Sequence, residues 1–96
     1  MKFVHISVHF EYGKAMVEIL DSHGVCDYVR YSMIESKDIE GKHFGTQVFP
    51  GNASVIQALV KEDVIEELFK ELKEFKNKKM SRHHLRAVVF PIEKII

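Results

Sequence analysis

Residues 54–79 read SVIQALVKEDVIEELFKELKEFKNKK and decide the fold, because a strand pattern passes directly into a helix pattern. The first seven residues are mostly apolar and partly β-branched, which favours a strand. In the following residues, apolar side chains recur at the spacing of one helix face. These side chains are Val64, Ile65, Leu68, Phe69, Leu72 and Phe75. Acidic residues lie near the predicted helix start and lysines near its end, as the helix dipole prefers. The stretch therefore predicts a strand followed by an amphipathic helix.

The N-terminal part of the chain predicts the same kinds of elements. Residues 3–11 alternate between two sides, which is typical of a strand with one apolar face. The apolar side consists of Val4, Ile6, Val8 and Phe10. Gly13 ends this alternation, and apolar residues then recur at helical spacing as far as Gly24. Gly24 lies where a left-handed helix cap is expected. Residues 26–34 (CDYVRYSMI) are rich in β-branched and aromatic side chains and predict a second strand.

The segment between the second and third strands, residues 35–51 (ESKDIEGKHFGTQVFPG), shows no sustained period. It contains three of the five glycines and one of the two prolines, a composition that predicts a long loop. Loops longer than about 12–15 residues are uncommon in compact domains and are often functional. We therefore expect this segment to carry a binding function.

The last strand is predicted at residues 85–90 (LRAVVF), before Pro91, and it is apolar on both sides. The complete order predicts an α+β fold, a ferredoxin-like βαββαβ sandwich with a four-stranded antiparallel sheet and two helices on one face. A chain of 96 residues fits a single domain, residues 1–96. Because this plan leaves one apolar sheet face uncovered, we expect a symmetric oligomer that packs sheet against sheet.

Composition excludes several classes of partner. Fourteen basic and fourteen acidic side chains give a net charge of zero, so nucleic acid is not an expected partner. No stretch approaches the ~18 apolar residues of a membrane span. Cys26 is the single cysteine, and the chain start lacks the continuous apolar run of a secretion signal. We therefore expect a cytoplasmic protein that is not membrane-embedded, with Cys26 as a buried thiol.

Three stretches resemble the PII signalling family. Residues 1–25 (MKFVHISVHFEYGKAMVEILDSHGV) resemble its opening strand and helix. Residues 48–72 (VFPGNASVIQALVKEDVIEELFKEL) resemble the return from its long loop into the third strand and second helix, and residues 87–96 (AVVFPIEKII) resemble its closing strand. The resemblance covers most of the chain. It implies a ferredoxin-like homotrimer that regulates other proteins without being an enzyme.

The resemblance also implies where a small effector, such as an adenine nucleotide, binds. The family's cleft lies between subunits, at the base of the long loop and the segment after the second helix. The corresponding residues here are Glu35, Lys42, Gly45, Thr46, Lys78, Lys79, Arg82 and Arg86. Residues 35–49 correspond to the loop that engages partners such as transporters or enzymes. Residues 76–86 (KNKKMSRHHLR) lack the glycines of a phosphate loop, so the effector need not be ATP.

Several alternatives stay open. The lysines at 76–79 also fit a solvated helix end, and the sequence identifies no cofactor. Six histidines suggest a metal-binding or metal-responsive trimer, which would resemble copper-tolerance-associated relatives, with His5, His9 and His43 as candidate ligands. His5 and His9 share one strand face but lie roughly 13 Å apart at ~3.3 Å per residue, too far to bind one ion together. A site therefore needs a threefold axis between subunits, or the loop bringing His43 inward. Arg30 could contact a ligand or an adjacent subunit. No residue pairing typical of catalysis is found.

Overall fold

The computed structural model describes residues 1–32, 35–38, 41–44, 53–79 and 85–96, and it describes the backbone alone for 35–38, 41–44 and 79. In chain order the elements are β1 (Lys2–His9), α1 (Gly13–Ser22), β2 (Tyr28–Ser32), β3 (Glu35–Asp38), β4 (Gly41–Phe44), β5 (Ala53–Val60), α2 (Ile65–Lys79) and β6 (Leu85–Pro91). Short 3-10 helices precede the two α-helices, at Phe10–Tyr12 and Glu62–Val64. Within these ranges, neither helix is long and apolar enough to cross a membrane.

Four strands form an antiparallel sheet in the order β2-β5-β1-β6. The central strand β1 pairs with β5 from Lys2 opposite Val60 to His9 opposite Ala53, and it pairs with β6 on its other side. β2 lies at the outer edge of β5. With α1 and α2 packed on one face, this is the strand order of a ferredoxin-like βαββαβ sandwich. The predicted fold class is confirmed.

The core lies between the helices and one face of the sheet, which we call the helix face. Alternate residues of the strands point to it, as the period of two requires. The fully buried strand residues include Val4, Ile6, Val8, Ile56 and Val60, and their partners on the helices include Met16, Leu20, Leu68 and Leu72. Full burial of one such side chain contributes about 1.5–3 kcal/mol, so this layer is the main source of stability.

Helix α1 ends in a Schellman motif at Gly24. The Val25 N–H donates to the Leu20 carbonyl at 3.0 Å, and the Gly24 N–H donates to the Asp21 carbonyl at 3.0 Å. Gly24 has a φ of 76°, in the left-handed region that glycine adopts without steric cost. The predicted helix cap at Gly24 is confirmed.

Three predictions from the sequence are wrong. The predicted loop at 35–51 contains an antiparallel pair of strands, β3 and β4, whose four residues each are too few to show a period. Phe10 is exposed, because the chain leaves β1 at His9 and enters a 3-10 turn. Cys26 is exposed as well, because it lies in the connection between α1 and β2 and not inside a strand.

Candidate functional site

Several chain segments meet at one end of the sheet, which we call the loop end. β2 ends at Ser32, opposite Ser54 in β5, and β6 begins at Leu85, opposite Val8 in β1. Because neighbouring antiparallel strands run in opposite directions, the end of one strand lies beside the start of the next. α1 starts soon after β1, and α2 ends soon before β6. The start of α1, the end of β2 and the starts of β5 and β6 therefore all lie at the loop end.

The hairpin of β3 and β4 lies between β2 and β5 in chain order. Glu35 pairs with Phe44 and Asp38 pairs with Gly41, so the hairpin forms a separate two-stranded sheet. An isolated two-stranded hairpin is marginally stable in water. The pairing of β3 with β4 alone therefore adds little to the stability of the chain.

The eight predicted ligand-binding residues fall into three groups. Three lie outside the described residues: Gly45, Thr46 and Arg82. Three lie in elements where the backbone alone is described: Glu35 in β3, Lys42 in β4 and Lys79 in α2. The remaining two have described side chains, which are both exposed: Lys78 and Arg86.

Lys78 and Arg86 lie on opposite sides of the sheet. Arg86 is directly opposite Ser7 of β1, on the face that points away from the helices. Lys78 lines a groove of about 380 Å³ between α1 and α2, together with Glu18 and Phe75. A single ligand could therefore contact both Lys78 and Arg86 only if it extended around the loop end of the sheet, from one face to the other.

The sheet face that points away from the helices, which we call the open face, carries exposed apolar side chains on both edge strands. On β2 these are Val29, which is 58% exposed, and Tyr31; on β6 they are Val88 and Phe90. The Phe90 ring packs against the Phe3 ring, with centroids 5.1 Å apart. Exposed apolar side chains grouped on one face mark an interaction surface. The prediction that the last strand is apolar on both sides is confirmed.

The candidate metal ligands His5 and His9 both lie on β1 and point to the open face. His9 Nδ1 accepts a hydrogen bond from the Glu11 N–H at 3.3 Å, and its ring packs on Phe10. His43 lies in β4, where the backbone alone is described. In the described part of the chain, no group of three or more His, Cys, Asp or Glu side chains could hold a metal ion. A metal site between subunits stays a prediction.

A polar contact between the helices was not predicted from the sequence. His23 Nε2, just after α1, donates a hydrogen bond to Glu71 Oε1 of α2 at 2.7 Å, and the two side chains are 19% and 46% exposed. A donor at this position also complements the C-terminal end of α1. The contact depends on how the two helices are rotated against each other, which the periodicity of either helix alone cannot specify.

Arg30 points to the helix face of β2 and lies at the start of α1. A Cβ atom at Gly13 would meet Arg30 Nη2 at 2.5 Å and Ser54 Oγ at 2.8 Å. The guanidinium and the hydroxyl therefore occupy the space that a side chain at position 13 would need. The sequence leaves open whether Arg30 contacts a ligand or another subunit; within the chain, Arg30 packs against the first residue of α1.

Solved structures with the same fold come from PII-like proteins. CPII, a nitrogen regulatory PII-like protein from Thiomonas intermedia bound to ADP, AMP and bicarbonate, gives a TM-score of 0.70 at 17% identity over 97% of this chain and 88% of that chain. The apo form of CPII gives 0.70 at 18% identity over 93% and 85% of the two chains. A PII-like protein from Thermus thermophilus gives 0.62 at 18% identity over 93% and 83%.

These similarities identify a fold. No protein-family model matches the sequence, and no curated protein matches it. The chain nevertheless has the fold of the PII-like proteins over nearly its whole length. The resemblance to the PII family in the three sequence stretches is therefore confirmed at the level of the fold. Function depends on the residues of the site, because one fold supports many functions.

Proposed function

We propose that this chain, which has the fold of the PII-like proteins, is a non-enzymatic cytoplasmic regulatory protein that assembles as a homotrimer and binds a small effector between subunits. The observation that carries the proposal is the open face, with four exposed apolar side chains on the two edge strands of a sheet. The fold similarity to CPII, whose structure holds ADP, AMP and bicarbonate, supports an adenine nucleotide as the effector.

The apolar open face supports self-association. Packing copies of this face together would bury Val29, Tyr31, Val88 and Phe90, at a gain of about 25 cal/mol per Å² of apolar surface removed from water. A chain of 96 residues has a small core, so assembly also adds stability that the protomer alone lacks. A trimer would place the loop end of each subunit beside a subunit interface.

In the proposed mechanism the effector binds at the loop end and changes the conformation of the hairpin. Arg86 lies on the open face beside Ser7, where its guanidinium would bind a phosphate or carboxylate of the effector. Residues 35–49 would then engage the partner protein, such as a transporter or an enzyme. The effector shifts this equilibrium only if it binds one hairpin conformation more tightly than the other.

The test is calorimetry of the full chain with ADP, AMP, ATP and bicarbonate, with light scattering on the same samples. We expect the mass of three chains and saturable binding of at least one nucleotide. Arg86→Gln should weaken that binding about 10- to 100-fold, the effect of losing a hydrogen bond to a charged group. Lys73→Gln, an exposed charge on α2, is the matched control and should bind normally. A monomer without heat from any nucleotide would contradict the proposal.

The position of His5 supports a metal-binding trimer as the second candidate function. His5 lies on the open face, opposite Val88 of β6, where side chains from three packed subunits would approach one another. Titration of the same samples with Zn²⁺ and Cu²⁺ separates the two candidates. Stoichiometric metal binding per trimer that is lost in His5→Ala, together with no nucleotide binding, would select the metal-binding function.

A further inference from the structure

The start of α1 has the partial positive charge of a helix N-terminus, and the first turn of α1 itself carries no acidic residue. Tyr12, which precedes this turn, makes no side-chain cap. In contrast, α2 begins with Glu66 and Glu67 in its first turn. A helix N-terminus is equivalent to roughly half a positive charge and favours a nearby anion. In α2 this anion lies within the first turn, whereas the acidic side chain nearest in sequence to the start of α1 is the exposed Glu11 of the preceding 3-10 turn.

Arg30 adds a full positive charge at the same place. Its guanidinium lies against Gly13, the first residue of α1, so closely that a Cβ atom there would be 2.5 Å from Nη2 and 2.8 Å from Cζ. The two ion pairs formed among the described residues, Lys2 with Glu62 and His23 with Glu71, do not include Arg30. A cation beside a helix N-terminus is electrostatically unfavourable, and an anion that binds next to both of them would offset that repulsion.

A buried hydroxyl points to the same position. Ser54 is 5% exposed, and its Oγ lies 2.8 Å from the point where a Gly13 Cβ would be. Among the described residues, the Ser54 hydroxyl forms no hydrogen bond. Every fully buried side-chain nitrogen or oxygen among the described residues has a hydrogen-bond partner. Because Ser54 Oγ has none, it is not fully buried and is accessible to solvent. An accessible hydroxyl that forms no hydrogen bond within the described residues is available for a ligand.

We propose that Arg30, Ser54 and the start of α1 form a binding site for a small oxyanion, such as bicarbonate, a carboxylate or phosphate. The planar guanidinium donates two parallel hydrogen bonds to two oxygens of such an anion. The Ser54 hydroxyl donates a further hydrogen bond, and the helix dipole stabilises the negative charge. Gly13 belongs to the site because any side chain there would displace the guanidinium. The site lies on the helix face and is separate from the effector site proposed at Arg86.

The test is a titration of the full-length ¹⁵N-labelled chain with sodium bicarbonate, acetate or phosphate, and with sodium chloride at the same ionic strength. We expect the amide signals of Gly13 and Lys14 to shift saturably with at least one oxyanion and not with chloride. The affinities for acetate and for phosphate show whether the site prefers a planar or a tetrahedral anion.

Three variants locate the binding. Arg30→Gln should weaken the affinity for the oxyanion about 10-fold or more, and Ser54→Ala about 2- to 10-fold, as expected for charged and neutral hydrogen bonds. Gly13→Ala keeps both donors but displaces the guanidinium, and it should weaken binding as Arg30→Gln does. Lys73→Gln, an exposed charge on α2, is the control and should bind as the unchanged chain does.

Three results would overturn the proposal: shifts that rise linearly without saturation, equal shifts with chloride, or unchanged affinity in Arg30→Gln with its circular dichroism intact. Shifts produced by ADP and by none of the small anions would overturn it too. The outcome is independent of the proposed regulatory function, because nucleotide binding is measured by its own heat and depends on Arg86 and not on Arg30.

Discussion

Side chains alternate between the two faces of the four-stranded sheet, and the two sets differ in their exposure to solvent. Those on the helix face are buried, whereas many of those on the open face are exposed. On β1, Val4, Ile6 and Val8 are fully buried under the helices, while the residues between them are partly exposed on the open face. On the edge strands the open face even exposes Tyr31 and Phe90. The helix face therefore holds the protomer together, whereas the open face is the surface through which we propose that copies of the chain associate.

The largest expected effect comes from the helix face. Ile6→Ala leaves a cavity in the core and should lower the free energy of unfolding by about 2–5 kcal/mol. Because Ile6 is buried within the protomer, urea denaturation should show this loss at every protein concentration.

Val29→Ala is the control on the open face. It should lower the denaturation midpoint only at protein concentrations where the proposed trimer forms, since assembly stabilises by mass action. Equal, concentration-independent losses in Ile6→Ala and Val29→Ala would mean that the two faces do not differ in role.

The helix face was predictable from the sequence because burial on one side enforces strict alternation. The apolar set Val4, Ile6 and Val8 and the stripe on α2 lie where their periods place them. The error at Phe10 has a local cause, since the His9 side chain accepts the Glu11 N–H and starts a turn. Hydrophobic periodicity does not register such a bond between a side chain and the backbone.

The candidate site was less predictable, because its parts meet only in the folded chain. The hairpin of β3 and β4 has no hydrophobic face that would produce a period, so its strands resembled a loop. Arg30, Gly13 and Ser54 lie in three different elements and come together through the pairing of β2 with β5 and the position of α1. The importance of Gly13 could not be recognised from the sequence, because its lack of a side chain leaves room for the Arg30 guanidinium and the Ser54 hydroxyl.

The second expected effect tests the open face directly. Phe90→Asp places a charge in the proposed interface and should dissociate the proposed trimer, because each subunit loses the burial of an aromatic ring, about 1.5–3 kcal/mol. Phe10→Asp is the matched control, because Phe10 and Phe90 are both 46% exposed but Phe10 lies off the sheet. Light scattering should give a smaller mass for Phe90→Asp alone. The same mass for both variants would argue against assembly through the open face.

A smaller effect is expected from the polar contact within the helix layer. The His23 to Glu71 hydrogen bond joins α1 to α2 at 2.7 Å. A double-mutant cycle of His23→Ala and Glu71→Ala should give a coupling of about 0.5–1 kcal/mol, in the lower range because Glu71 is half exposed. Urea denaturation of the four proteins provides the free energies. A coupling of zero would show that apolar packing alone holds the two helices together.

The smallest effect is expected at the rim of the helix face, where Lys2 Nζ lies 3.3 Å from Glu62 Oε1. Glu62 is well exposed, so the pair should contribute only about 0.2–1 kcal/mol. Lys2→Gln should therefore lower the denaturation midpoint slightly in low salt. The difference should vanish near 1 M salt, where the Debye length is about 3 Å. Lys94→Gln, an exposed lysine near the chain end, is the control. A loss in Lys2→Gln that persists in high salt would mean that the Lys2 stem packs on the helix face and stabilises it as apolar surface.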